Sequence, residues 1–150
     1  MIKESDLKIM AALRKDARQT LTSISKQTKI PVSTIYDRIR KHENGVIKKH
    51  TSILDFPRMG YNIRLNFLLK VKNQWKFKEF ISKHKNVNSA FRVEGEFNFM
   101  MDCIFKQMNE MQSFTEKIEE FGIEKKQTNF IIEEVVRENF MNMGVNEDGK

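Results

Sequence analysis

The hydrophobic pattern of this 150-residue chain changes around Pro57 and Gly60. Before these two residues, apolar side chains recur at helical spacing. After them, apolar and polar positions alternate from Ile63 to Val71, as in a strand with one buried face. Because polar residues surround the two breakers, residues 51–61 are predicted to be a linker. It separates a helical domain over residues 1–50 from a mixed domain over residues 62–138, and residues 139–150 form a tail.

Three helices are predicted in the first domain. The first begins at Ser5 and the second at Thr20, since both hydroxyls suit a helix N-cap. Pro31 ends the second helix because proline disfavours helical geometry in the residue before it, and it suits the start of a third helix. The third helix runs from about Val32 to Glu43. Its predicted buried residues are Val32, Ile35, Ile39 and His42.

In the second domain, segments with the alternating pattern of a strand and segments with the spacing of a helix follow one another in the order strand, helix, strand, strand, helix, strand. The predicted strands cover residues 63–71, 87–93, 97–105 and 128–136. This order is that of a ferredoxin-like βαββαβ unit, in which two helices cover one face of a four-stranded antiparallel sheet. The predicted fold class is therefore α+β, with an N-terminal helical domain and a C-terminal ferredoxin-like domain.

The predicted sheet also carries apolar residues on the face opposite the helices. Such a face is most simply buried against a second copy of the chain, so a homodimer is predicted. The residues expected at this dimer interface are Leu68, Met100, Ile104, Ile131 and Val135.

Charge is distributed unevenly along the chain. The net charge is +6 over residues 1–56, +8 over residues 57–92 and −7 over residues 93–150, which gives +7 in total. A basic leading part favours a polyanionic partner such as double-stranded DNA. Alternatively, the acidic part offsets the basic one within the fold or across a subunit contact. No apolar run approaches the roughly 20 residues that cross a bilayer, and a single cysteine forms no internal disulfide, so we expect a soluble, cytoplasmic protein.

Three helices with a break before the third, in a basic segment, are what a helix-turn-helix requires. The third helix would lie in the major groove with its polar face toward the bases. Arg40 can donate two hydrogen bonds to guanine, whereas Arg38 lies at the edge of the buried face and either reaches a phosphate or pairs locally. The residues of this helix predicted to contact DNA are Ser33, Thr34, Tyr36, Asp37, Arg38, Arg40 and Lys41.

Several motifs along residues 5–138 resemble the leucine-responsive regulatory protein/AsnC (Lrp/AsnC, feast/famine) family of transcription factors, in the family's domain order. In the first domain they are Asp6-x-x-Ile9-Met10-x-x-Leu13, Asp16-Ala17-Arg18, Ser33-Thr34-Ile35-x-x-Arg38-Ile39 and Gly45-Val46-Ile47. In the second domain, the segment Val93-Glu94-Gly95-Glu96-Phe97-Asn98-Phe99 looks like the family's effector loop.

The resemblance implies a sequence-specific regulator with a winged-type helix-turn-helix that binds a pseudo-palindromic operator. Family members dimerise through the C-terminal sheet, often form octamers, and in many cases respond to an amino acid. Gly95, Glu96 and Asn98 are the implied effector-binding residues, and Asn98 stands where the family commonly has an aspartate able to bind an ammonium group. Lys29 replaces the small turn residue usual before the third helix and could add a phosphate contact.

Two other readings stay open. One is an enzyme similar to the sirohaem decarboxylases, which resemble this architecture, although residues 56–62 do not obviously carry their substrate-binding pattern. The other is a ligand-binding or oligomerisation module without DNA binding. The three histidines are far apart in the sequence and Cys103 alternates with core residues. We therefore predict no catalytic residue, no metal site and no cofactor.

Overall fold

A computed structural model describes residues 1–141 of the chain, so residues 142–150 of the predicted tail lie outside the described residues. Contacts divide the described chain into two units. The first is Met1–Ile53 together with the residues after Glu134, and the second is Leu54–Glu134. The elements are α1 (Glu4–Lys15), α2 (Leu21–Thr28), α3 (Val32–His42), a 3-10 turn (Pro57–Met59), β1 (Ile63–Val71), α4 (Gln74–Lys83), β2 (Val87–Arg92), β3 (Phe99–Phe105), α5 (Met108–Glu119) and β4 (Ile123–Phe130).

The three helices of the first unit pack around Ile9, Ile24 and Ile35, which are fully buried. Thr20 caps α2 as predicted, because its hydroxyl accepts a hydrogen bond from the Ser23 N–H at 3.0 Å. The three predicted helices are therefore confirmed.

Two details of the helical prediction are wrong. The first helix begins at Glu4 rather than Ser5, because the carboxylate of Asp6 accepts the Lys3 N–H at 2.9 Å and thereby completes the first turn. Val32 was expected to be buried but is exposed, since it opens the first turn of α3 and the buried face of that helix starts at Ile35.

The second unit is a four-stranded antiparallel sheet in the order β2-β3-β1-β4. Helices α4 and α5 cover one face of it, so the predicted ferredoxin-like arrangement is confirmed. The core between helices and sheet consists of Leu65, Phe67, Leu69, Val71, Phe77, Ile81, Phe99, Met101, Cys103, Phe105, Phe114 and Ile118. Burial raises the pKa of the Cys103 thiol to about 12, which keeps this cysteine protonated and unreactive.

The predicted fourth strand is displaced toward the C-terminus, by five residues at its start and six at its end. It was expected over residues 128–136 but runs from Ile123 to Phe130, paired with β1 from Val71 to Leu65. β4 is an edge strand whose residues after Ile123 are exposed, so backbone pairing holds it without an alternating apolar pattern. Val135 therefore lies outside the sheet, and the reason for placing it on the sheet face was incorrect.

The sheet face opposite the helices, called here the open face, is only partly apolar. Leu68 and Met100 are cross-strand partners on it, and a register shift after Val87 places Phe91 beside Met100. Ile104, which was predicted at the interface, is already buried within the unit, with 8% of its surface exposed. Ile131 follows β4 directly, and its N–H donates to the Arg64 carbonyl at 2.8 Å. The apolar part of the open face thus centres on Leu68, Met100 and Phe91.

Candidate nucleic-acid interface

Helix α3 has two chemically different faces. Ile35, Ile39 and His42 face the core of the first unit. The opposite face exposes Ser33, Tyr36, Asp37, Arg40 and Lys41, so the structure brings these five predicted DNA-binding residues together. Thr34 and Arg38 are half-buried at the edges of this face.

A tight turn connects α2 to α3. Lys29 adopts the left-handed conformation with φ 60°, and its N–H donates to the Ser25 carbonyl at 2.9 Å, which ends α2. Pro31, with φ −58°, then leads directly into α3. The side chain of Lys29 is exposed at this turn, immediately before the helix that carries the polar face.

The orientation of α3 depends on Asp6 in the first turn of α1. This carboxylate is 1% exposed and accepts hydrogen bonds from the Lys3 N–H at 2.9 Å and from Arg38 Nη1 at 3.1 Å and 3.3 Å. His42 Nε2 lies 3.4 Å from Asp6 Oδ1, close enough for attraction but without hydrogen-bond geometry. The Lys3 N–H chiefly lowers the pKa of Asp6, and His42 and Arg38 add to this against the opposing effect of burial.

Arg38 and Arg40 therefore have different environments. The guanidinium of Arg38 donates to Asp6. Of the two roles that the sequence allowed for Arg38, a phosphate contact or a local ion pair, the structure shows the ion pair. Arg40 is 67% exposed, and its nearest partner is Glu43 Oε2 at 3.8 Å. An exposed pair at that distance contributes little, so the Arg40 side chain is free to turn toward another acceptor.

The loop between β2 and β3 contains the three predicted effector-binding residues. Gly95 has φ 144° and is exposed, and the carboxylate of Glu96 pairs with Lys125 Nζ. That hydrogen bond lowers the pKa of Glu96. Gly95 and Glu96 are thus accessible at the surface of the second unit.

The side chain of Asn98 is engaged by the backbone of Val71. Its Oδ1 accepts the Val71 N–H at 2.8 Å, and its Nδ2 donates to the Val71 carbonyl at 3.0 Å. The amide thus replaces a peptide group and continues the β1–β3 ladder beyond the Leu69–Phe99 pair. An ionised aspartate could accept the Val71 N–H but could not donate to the Val71 carbonyl. This difference explains why an asparagine suits this position better than an aspartate.

The sequence is similar to known proteins over both units. The profile of the Lrp/AsnC ligand binding domain matches residues 67–140, and a winged helix-turn-helix DNA-binding profile matches residues 2–48. An uncharacterized HTH-type transcriptional regulator of Pyrococcus abyssi is 34% identical over 146 residues, which cover 93% of this chain and 97% of that protein. The chain belongs to the Lrp/AsnC family of transcriptional regulators.

Two further proteins, one similar in sequence and one similar in fold, extend the comparison. The HTH-type transcriptional regulator FL11 of Pyrococcus horikoshii is 35% identical over 119 residues, covering 77% of this chain and 78% of that protein. A Neisseria meningitidis transcriptional regulator solved with L-methionine has the same fold, with a TM-score of 0.80 at 19% identity over 91% of this chain and 94% of that one. The predicted family, fold class and DNA-binding regulatory function are confirmed.

Sequence reasoning missed the two contacts that organise this Lrp/AsnC protein. Asp6 was treated only as a motif residue, although it precedes Ile9 by three positions and so shares the buried stripe of α1. A buried carboxylate is costly unless it is paired, so an acidic residue on an apolar stripe predicts a basic partner. Arg38 on α3 is that partner. No comparable signal in the sequence indicated the pairing of Asn98 with Val71.

We predict that Asp6→Ala lowers the free energy of unfolding by on the order of 3 kcal/mol at neutral pH, because Arg38 and His42 then lose a buried partner. Far-ultraviolet circular dichroism during urea unfolding measures this loss. Glu4→Ala is the matched control, since Glu4 lies in the same turn but is exposed and pairs only with Lys8. An equal, small effect of both substitutions would contradict the assigned role.

The same contact predicts a pH dependence. Since folding lowers the pKa of Asp6, its charge stabilises the folded state above the unfolded pKa of about 3.9, and the contribution is lost as the pH falls through the lower folded pKa. The protein should therefore lose more stability between pH 5 and strong acid than Asp6→Asn does. Parallel losses in both proteins would show that Asp6 is not responsible.

Proposed function

We propose that this regulator binds a pseudo-palindromic operator as a homodimer, with α3 of each copy in a major groove. The exposed polar face of α3, opposite the buried Ile35, is the observation that carries the proposal. In dimeric helix-turn-helix proteins, two recognition helices contact half-sites about one helical turn, or a multiple of it, apart. The chain would act in the cytoplasm and catalyse no reaction.

The residues of this face divide into three roles in our proposal. Arg40, with Ser33 and Tyr36 beside it, contacts base edges, because a free guanidinium can donate two hydrogen bonds to guanine. Lys29 and Lys41 contact phosphates. Asp37 accepts from a cytosine amino group or orients Arg40, Thr34 permits close approach to the groove, and Arg38 holds α3 through Asp6.

Arg40→Ala should weaken binding to an operator selected from a random-sequence pool by about 1–3 kcal/mol and relax the preference at one base pair. Fluorescence anisotropy with the selected duplex and its single-base variants measures both effects. Arg58→Ala, which removes an exposed arginine in the Pro57–Met59 turn, is the control. If random duplexes lose affinity as strongly as the operator does, Arg40 contacts phosphate rather than a base.

We propose that the open face of the sheet is the homodimer contact. Leu68, Met100 and Phe91 form its apolar centre, and Phe91 is 55% exposed although it is a large aromatic residue. At its side, Arg64 donates to both carboxylate oxygens of Asp102, at 2.8 Å and 2.7 Å, and to Glu134 at 2.7 Å. These ion pairs give the charged groups of Arg64, Asp102 and Glu134 partners within one copy of the chain.

Leu68→Asp or Phe91→Asp should convert the protein to a monomer, because each places a charge inside the proposed contact. Light scattering gives the mass, and also tests whether dimers assemble further into octamers. Gln112→Asp, on the exposed side of α5, is the control and should leave the mass unchanged. A dimer that persists in both folded variants would refute this contact.

We further propose that a small molecule with an ammonium group, such as an amino acid, binds at the loop that contains Gly95 and Glu96. The match to a ligand binding domain and the exposed carboxylate of Glu96 support this. Asn98 would fix the loop through Val71 rather than contact the ligand.

An amino acid that binds there should raise the melting temperature, since a ligand at 100 times its Kd stabilises the folded state by about 2.7 kcal/mol. A thermal-shift screen across the amino acids identifies it. Glu96→Gln should abolish the shift and Glu94→Gln should retain it. An equal shift in both variants would place the ammonium elsewhere, and no shift with any amino acid would reject this class of effector.

A further inference from the structure

The two helices of the second unit carry opposite charge. Residues 57–92 contain nine lysines and arginines and one acidic residue, Glu79. Glu79 pairs with Lys83 at 3.1 Å. Four other lysines around α4 are exposed and have no ion-pair partner within residues 1–141: Lys72, Lys76, Lys78 and Lys85. On α5, by contrast, Glu110, Glu116 and Glu119 are acidic.

An exposed tryptophan lies on α4, the helix that also carries Lys76 and Lys78. Phe77 and Ile81 anchor α4 to the sheet, and the outward side presents Trp75, the single tryptophan of the chain, at 79% exposure. Lys78 borders the groove between α4 and β2, whereas Lys76 lies on the other side of the helix. We call Lys72, Trp75, Lys76, Lys78 and Lys85 the α4 basic surface.

The stability of the fold does not account for this surface. The first turn of α4 contains Lys76 and no acidic residue, so its charge opposes the helix dipole rather than complementing it. Neighbouring lysines also repel one another when no anion is present. An external anion would relieve both effects.

We propose that the α4 basic surface binds the phosphate backbone of duplex DNA that flanks the operator, without regard to sequence. This inference rests on the proposed function, because the helix-turn-helix delivers the DNA and raises its local concentration around the second unit. Lysines act here as point charges that release counterions from the phosphates. Pairing with the acidic α5 of a second copy is less favourable, since exposed ion pairs between side chains contribute little.

The test compares two duplexes. A short one holds only the operator selected from a random-sequence pool, and a long one has the same operator centred between flanks of several helical turns. The test variant combines Lys72→Gln, Lys76→Gln and Lys78→Gln. The charge-matched control combines Lys106→Gln, Lys117→Gln and Lys126→Gln, which removes three lysines outside the surface.

On the long duplex, the test variant should reduce the slope of log K against log salt by about 2.7, or about 0.9 for each lost phosphate contact, and weaken binding roughly tenfold or more. The control should bind like the unsubstituted protein, and both should bind the short duplex normally. Acrylamide quenching of Trp75 should fall when the long duplex is added and stay unchanged with the short one.

Four results would overturn the proposal. The first is an unchanged slope on the long duplex while the operator is still bound, which leaves the proposed function intact. The second is an equal loss on the short duplex. The third is a test variant that binds both duplexes normally but has lost another interaction. That interaction would be binding to single-stranded RNA, binding to phosphatidylserine vesicles, or self-association, which a reduced mass in light scattering would reveal. The fourth is an unsubstituted protein that binds neither duplex, which rejects the proposed function as well.

Discussion

A buried carboxylate fixes how this protein presents helix α3, which we propose contacts DNA. Asp6 would be costly to bury alone, and the Lys3 N–H, Arg38 and His42 together offset that cost. The contact joins the first turn of α1 to the inner side of α3, while the outer side carries Arg40 and the other exposed polar residues. Because Arg38 and these residues belong to one helix, the direction of its exposed polar face depends on the hydrogen bonds that Arg38 makes to Asp6 at the edge of that face.

Periodicity predicted most of the fold because burial on one side imposes a period. Ile35, Ile39 and His42 recur every three or four residues, and the strand from Ile63 to Val71 alternates, so both elements were correctly predicted. β4 was misplaced because an exposed edge strand has no such period and is held by its backbone pairing to β1. The apolar residues that follow it drew the prediction toward the C-terminus.

The site was predicted less completely than the fold. The exposed face of α3 follows from helix geometry alone, but the pairing of Asp6 with Arg38 joins residues 32 positions apart. Asn98 was assigned to an effector because it stands in the loop that resembles the family's effector loop, where the family commonly has an aspartate. The structure adds that its amide accepts from the Val71 N–H and donates to the Val71 carbonyl, a pairing that the sequence does not indicate. The sequence did show the separation between a basic segment over residues 57–92 and an acidic one after it, and the structure places the two charges on α4 and α5.

The central claim is that two copies of α3 contact base edges of one operator. Hydroxyl-radical footprinting combined with methylation interference on a selected operator tests it most directly. The account predicts two protected backbone segments related by a two-fold axis, about 10 base pairs or a multiple of that apart, with interference from methylated guanine N7 in the major groove of each half-site. A single protected segment, or protection without any guanine N7 interference, would contradict it.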